Sequence, residues 1–258
     1  MRTQVGIVGG GPAGLLLSHL LHLRGIESVV LERRSREELE SEIRAGVLEQ
    51  GTMDLLNEIG VGERMMREGA FHRGVNLQFG GRRHRIDFED LVGRGIMLYG
   101  QHEVVKDLIA ARLASGGKIV FEAQVLAVEG ADTDSPSVRY AGPDGREEAL
   151  SCDFVAGCDG FHGACRPSIP EGARREYERR YPFGWFGILV RAPRSSEELI
   201  YCLHERGFAL ISTRSPEIQR MYLQCDPDDD VANWPDERVW EELHARLAME
   251  DGWRLKEG

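Results

Sequence analysis

A glycine turn set between an apolar strand and a helix constrains this chain more than any other stretch. It reads Gln4-Val5-Gly6-Ile7-Val8-Gly9-Gly10-Gly11-Pro12-Ala13-Gly14, and Val29-Val30-Leu31-Glu32 follows as a second buried strand closed by an acid. The glycines at 9, 11 and 14 fit G-x-G-x-x-G. The first allows the tight turn, the second lets backbone approach a diphosphate, and the third lets helix and strand pack closely. A phosphate group then rests on the helix N-terminus, and an acid at position 32 is placed for ribose hydroxyls. The apolar run at Leu15 to Leu23 has helical character, so the segment reads as strand, helix, strand.

With 258 residues the chain is long enough for one large or two smaller domains. Its net charge of −11, from 32 basic and 43 acidic residues, disfavours nonspecific attachment to nucleic acid or to an anionic membrane. The local cluster Arg82-Arg83-His84-Arg85 reads as a solvated hairpin rather than a phosphate site. Five cysteines, at 152, 158, 165, 202 and 225, form no C-x-x-C pair and suit a reducing compartment. No apolar stretch approaches the ~20 residues of a membrane span, and a cytoplasmic location is expected. No histidine pair has H-E-x-x-H spacing, so no metal is expected.

Beyond the opening unit, the pattern predicts an acidic helix-prone stretch at 37–42. Residues 43–51 lead into a helix at 52–58, with Gly60 at its C-cap. A hairpin is expected at 75–79 and 83–88 around Gly80-Gly81, then a helix at 103–113. Short strands follow at 119–121, 125–128, 137–140, 147–150 and 154–160, with a turn at Gly142-Pro143-Asp144-Gly145. From Tyr181 the character changes. Strands at 184–190, 199–204, 208–213 and 220–225 and a helix at 236–247 suggest a second, largely antiparallel layer.

Within that layer, Ser212 and Arg214 are two apart on one expected strand and so face the same way. Tyr222 lies across the Ser215-Pro216-Glu217 turn, and Tyr201 lies on the strand before. Arg214 could fork a carboxylate, with Ser212 and Tyr222 donating to its remaining lone pairs and Tyr201 holding the far end of a flat ring. The same pattern also describes a solvated outer sheet face carrying ordinary strand tyrosines.

Four stretches, in order along the chain, resemble the FAD-dependent aromatic hydroxylases. They are Gly9 to Gly14 with Glu32, the run Arg44 to Gly51, the turn Cys158-Asp159-Gly160-Phe161-His162-Gly163, and Tyr181-Pro182-Phe183-Gly184-Trp185. The resemblance runs from Met1 to the end. It implies an α/β fold, with a FAD-binding Rossmann-like domain of the glutathione reductase type at 1–178 and a mostly antiparallel, incomplete substrate domain at 179–258. The hairpin at 72–98 contributes toward the substrate side. It places Gly9, Gly11, Ala13, Gly14, Glu32, Arg44, Gln101, Asp159 and Gly160 against FAD. Arg33, Arg44, Phe161, His162 and Arg166 are placed toward NADPH or NADH. It also sets a substrate carboxylate on Ser212, Arg214 and Tyr222 and the phenol on Tyr201, the catalytic residue. The implied reaction is ortho-hydroxylation of 4-hydroxybenzoate to 3,4-dihydroxybenzoate with dioxygen, in a homodimer. A sister enzyme for another aromatic acid, or a nucleotide-binding remnant without activity, are the alternatives.

Two departures from the family carry expectations of their own. Glu42 stands where arginine is usual, and with Glu38 and Glu40 it makes the segment facing the coenzyme acidic, although Arg33, Arg34 and Arg36 pull the other way. NADH is therefore expected alongside or in preference to NADPH. Nothing like the family's later Gly-Asp flavin signature occurs before Gly258, so the C-terminal part is expected to be missing and FAD to be held weakly.

Overall fold

The computed structural model describes every residue from Met1 to Gly258. In chain order its elements are β1 (Val5–Val8), α1 (Pro12–His22), β2 (Ser28–Leu31), α2 (Arg36–Ser41), β3 (Val47–Glu49), α3 (Gln50–Glu58), α4 (Glu63–Glu68) and β4 (Ala70–His72). Next come β5 (Gly74–Phe79), β6 (Arg82–Asp87), α5 (Phe88–Val92), β7 (Ile96–Leu98), α6 (Gln101–Ala114), β8 (Lys118–Val120) and β9 (Gln124–Glu129). The remainder are β10 (Ser137–Ala141), β11 (Glu147–Ser151), β12 (Phe154–Gly157), β13 (Gly184–Arg191), β14 (Ile200–Cys202), β15 (Ala209–Thr213), β16 (Ile218–Cys225) and α7 (Asp236–Arg246). The chain divides into two compact units. One comprises Met1–Ala45, Leu55–Arg67 and Gly100–Tyr177, and the other Gly46–Asp54, Glu68–Tyr99 and Glu178–Gly258.

The first unit is an α/β layer. Its four-stranded parallel sheet runs β12-β1-β2-β8, and β1 and β2 are buried at every position, as expected of strands covered on both faces. Pro12 opens α1, where its missing N–H costs nothing. The acidic stretch forms α2, started by a capping box in which Ser35 and Glu38 satisfy one another's backbone N–H groups. An antiparallel meander, β11-β10-β9, packs Val125, Val138, Tyr140 and Leu150 against Val8, Val29 and Leu31.

The second unit is built on a six-stranded sheet, β13-β16-β15-β14-β5-β6. Four of its five strand pairings are antiparallel, but β14 joins β5 in parallel, a pairing the local sequence does not announce. One face buries Ile200, Ala209, Ile211, Met221 and Leu223 against Val239, Leu243 and Leu247 of the α7 region and against Trp234 and Leu255. Each buried Val, Leu, Ile or Met among them contributes about 1.5–3 kcal/mol of transfer free energy. The β5–β6 hairpin turns through Gly80 and Gly81 at φ +57 and +70, the left-handed pair that a two-residue turn requires. Its basic cluster is occupied: Arg82 pairs with Glu250, Arg83 holds Gln78 and stacks 4.2 Å over Trp253, and Arg85 forks Glu198.

Three local expectations need correction. Residues 47–49 form β3 rather than a helical lead-in, because they pair with Ile96–Leu98 far along the chain. The strand expected over 199–204 stops at Cys202, where His204 and Gly207 close a turn and Gly207 takes φ +110. Arg214 lies one residue beyond β15, and its N–H closes the turn onto the Ile218 carbonyl. No helix is long and apolar enough to cross a membrane.

Candidate functional site

In the first unit the glycine turn opens onto a cavity of about 250 Å³. Its lining includes Gly11, Arg33, Arg34, Glu42, Arg44, Gln101, Asp159 and Gly160. Gly9 sits at φ +105, and a Cβ there would lie 2.4 Å from the Cys158 carbonyl oxygen. A Cβ at Gly14 would lie 2.0 Å from the Gly9 carbonyl oxygen, whereas one at Gly11 would meet nothing within 4 Å. Two of the three glycines therefore shape the backbone, and the third keeps the mouth of the cavity open. Ala13 is exposed on the first turn of α1.

Two helix N-termini border this cavity, α1 through Gly11 and Pro12 and α6 through Gln101 and His102. Neither has a side-chain cap, and α1 has no acid in its first turn. Each offers backbone N–H groups and the positive end of its dipole to an anion. The α6 contribution was not legible in the sequence beyond Gln101 itself. A second cavity of about 150 Å³ is walled by Val8, Leu31, Ala123, Val125 and Ala164, with Arg33, Asp159 and His162 at its polar edge. Apolar walls with a few polar groups suit a flat heteroaromatic base. A strand was expected from Val125, but the role of 123–125 as a cavity wall had no signal in the sequence, since it comes from lying beside the end of β2.

Glu32 is buried, and its carboxylate accepts from the Gly10 N–H at 2.6 Å and from the Arg34 backbone and Nε at 3.0 Å. Asp159 lines both cavities while its Oδ2 accepts the Cys165 N–H at 2.9 Å, so it also caps the turn that follows. Gly160 takes φ +77. Phe161 and His162 are exposed and meet edge to face at 5.0 Å, and Arg166 lies 4.1 Å above the Phe161 ring while pairing with Glu176. Arg34 and Arg44 both pair with Glu42, and Arg36 pairs with Glu40. Burial pushes every thiol up, Cys165 to about 12 and Cys202 to about 11, so none is a reactive thiolate. No group of three His, Cys, Asp or Glu side chains is placed to hold a metal ion.

In the second unit the register fixes which side chains share the sheet face opposite α7. Leu210 pairs with both Tyr201 and Tyr222, and Ser212 pairs with Arg220. Directly paired residues point the same way, so Tyr201, Ser212, Arg220 and Tyr222 lie on one face, with Arg214 following Ser212 by two residues. Ser212 donates to the Arg220 carbonyl at 3.4 Å, and the Arg220 guanidinium lies 4.9 Å from the Tyr222 ring. Burial pushes the Tyr201 phenol up. Arg220 was missed from sequence, although its parity with Tyr222 on one strand was available. Aromatic rings continue along this face, with Tyr201 5.8 Å from Phe208 and Trp185 5.1 Å from Phe208 and 6.5 Å from Tyr222.

A parallel βαβ opening, a glycine turn between two uncapped helix ends and a buried acid after the second strand define a dinucleotide-binding protein. The chain belongs to the FAD binding domain family, which matches residues 2–257. It is 42% identical over its whole length to the p-hydroxybenzoate hydroxylase of Acinetobacter baylyi and spans 64% of that relative's length. A probable NADH-specific resorcinol 4-hydroxylase of Rhodococcus jostii is 32% identical over 64% of this chain and 32% of its own. Among solved structures, p-nitrophenol 4-monooxygenase of Pseudomonas putida DLL-E4 shares the fold, with a TM-score of 0.75 and 20% identity over 96% of this chain and 64% of its own.

Proposed function

We propose that this chain carries the flavin, coenzyme and aromatic-acid grips of a cytoplasmic FAD-dependent monooxygenase that converts 4-hydroxybenzoate to 3,4-dihydroxybenzoate with NAD(P)H and dioxygen. The observation that carries the reading is the single sheet face shared by Tyr201, Ser212, Arg220 and Tyr222, with Arg214 next to it. It occurs in a chain whose other unit holds a dinucleotide cradle. The full-length protein is taken to work as a homodimer.

FAD fits the residues present. The open position at Gly11 leaves room for a diphosphate against the α1 and α6 N-termini, Gln101 and Arg44, and the 150 Å³ cavity takes the adenine. Glu32, turned to Gly10, is at the right place for the ribose hydroxyls. When bound, FAD supplies hydride acceptance and oxygen activation. The chain's own residues bind, orient and move a proton. Arg214 forks the substrate carboxylate, Ser212 and Tyr222 donate to its free lone pairs, and the ring is thereby held at one end. Tyr201, half-buried and with its phenol pushed up by burial, accepts the hydrogen bond of the substrate hydroxyl on Oη and gives its own proton to solvent as it takes the substrate's. Passing that substrate proton on makes the ring electron-rich and open to electrophilic attack.

For the coenzyme, Arg33, Phe161, His162 and Arg166 are the proposed contacts, together with Arg44. Arg34 and Arg36 are already paired with Glu42 and Glu40, which leaves a ribose 2′-phosphate poorly matched. NADH is therefore the proposed reductant alongside or ahead of NADPH. The decisive experiment is Tyr201→Phe: substrate binding and flavin reduction persist while hydroxylated product disappears. Unchanged product yield sinks this assignment, and a product assay across several hydroxybenzoates fixes the substrate.

A further inference from the structure

Of the three arginines that line the first cavity, two are tied to one acid. Glu42 closes α2 in an extended conformation and lines the cavity itself. One of its carboxylate oxygens receives Arg34 Nη1, and the other receives Arg44 Nη2 at 2.5 Å. Arg34 reaches back through Nε to Glu32 at 3.0 Å. The neighbouring acids behave differently. Glu38 caps Ser35 and Glu40 pairs with Arg36 along the helix, and neither lines the cavity. Glu42 alone among the acids of this segment puts its charge where the cradle would receive a ligand.

Positive charge recruited by a cavity for an anion is worth most when nothing else neutralises it. Here Arg33, Arg34 and Arg44 share the lining with Glu42 and Asp159, and the buried Glu32 holds Arg34 from behind it. A dinucleotide diphosphate entering beside Gly11 meets a lining in which two of the three positive charges are offset by acids. Its oxygens and the Glu42 carboxylate then compete for the same guanidinium of Arg44, at the mouth of two uncapped helices.

We infer that Glu42 sets the affinity of the cradle as an internal anion: it holds Arg34 and Arg44 in the unliganded protein, and the FAD diphosphate displaces it from Arg44. The inference rests on the flavin reading above. Binding is thus an exchange of one anion for another rather than the filling of a bare basic site. The cost of parting Glu42 from Arg44 is subtracted from what the diphosphate gains.

Glu42→Gln tests this, because the amide keeps the size and removes the charge, with Glu42→Ala as a second variant. FAD binding is followed by fluorescence titration of the chain without coenzyme. The expected result is binding about tenfold tighter than wild type. It should weaken more steeply between about 50 and about 500 mM salt, since uncompensated charges are the ones that ions screen. Unliganded melting should not rise while FAD binding tightens, a combination that a merely structural role would not produce. Equal or weaker FAD binding by both variants overturns the inference and makes Glu42 an organiser of the arginines. Absence of saturable FAD binding by wild type and variants alike removes the flavin reading, and the inference with it.

Discussion

Replacing Gly14 and Gly11 separately with alanine parts the architecture of the glycine turn from its ligand chemistry. At Gly14 the new Cβ would lie 2.0 Å from the Gly9 carbonyl oxygen, 3.1 Å from Ile7 Cγ2 and 3.2 Å from Cys158 Cβ. The closest partner is backbone in a turn that already holds Gly9 at φ +105, so α1 must withdraw from β1 by about 1 Å or more. Overpacking of this kind costs about 1–3 kcal/mol, and the upper end applies where no flexible side chain can yield. At about 2–4 °C per kcal/mol for a chain of this size, Gly14→Ala should lower the unliganded melting temperature by about 6–12 °C. Gly11→Ala meets nothing within 4 Å, at φ −71. Its losses at the N-cap and its gains in the unfolded chain offset to within about 1 kcal/mol. Its methyl group intrudes on the diphosphate instead and should weaken FAD about tenfold or more. Circular-dichroism melting without ligand and FAD titration read the two effects apart. A Gly14→Ala protein melting within about 1 °C of wild type, or a Gly11→Ala protein that binds FAD as tightly as wild type, would refute the reasoning.

Arg214→Ala removes the forked cation and should raise the dissociation constant of 4-hydroxybenzoate about 30- to 1000-fold, the equivalent of roughly 2–4 kcal/mol, in a flavin-absorbance titration. Unaltered binding counts against the carboxylate assignment. Burial holds His72 below the ordinary histidine range, with Glu198 opposing, and its Nδ1 accepts the Leu199 N–H. The unfolded chain takes up a proton first as pH falls through about 6.5, so stability is full above that value and declines below it by up to about 1.4 kcal/mol per pH unit. His72→Asn, which keeps an acceptor, should flatten that acid limb in urea melts, and an unchanged limb rejects the attribution. Steady-state kinetics should give NADH a kcat/KM at least comparable with NADPH, and a large NADPH preference argues against the acidic segment's role.

Local signals survived into the structure where the chain decides its own conformation. Gly80-Gly81 gave a hairpin because two left-handed residues admit little else, and Ser35 with Glu38 started α2 where the acids cluster. The meander turn at Gly145 took φ +75 at the expected place. What escaped depends on partners distant in sequence. Val47–Glu49 is a strand only because Ile96–Leu98 lies beside it, and β14 pairs with β5 only because the hairpin is already there. The same holds for the cavities. The glycine turn was legible at once, but the second helix end at Gln101 and the wall at 123–125 are brought to it by the sheet. On the aromatic face, parity along each strand was readable, while the register that sets Arg220 against Ser212 was not.

The parallel seam between β5 and β14 also imposes an order in time. Gly74–Phe79 leaves the ribosome long before Ile200–Cys202 exists, and at about 5–20 residues per second the interval is about 6–25 s. For that period the outer edge of the hairpin presents unpaired backbone groups to any passing strand. The first unit, whose β12 ends at Gly157, is fully synthesised earlier and can close while the hairpin still waits. A chain arrested between those two points during synthesis would hold a closed nucleotide cradle and an open, adhesive sheet edge. Its hazard in the cell is therefore mispairing rather than loss of the cradle.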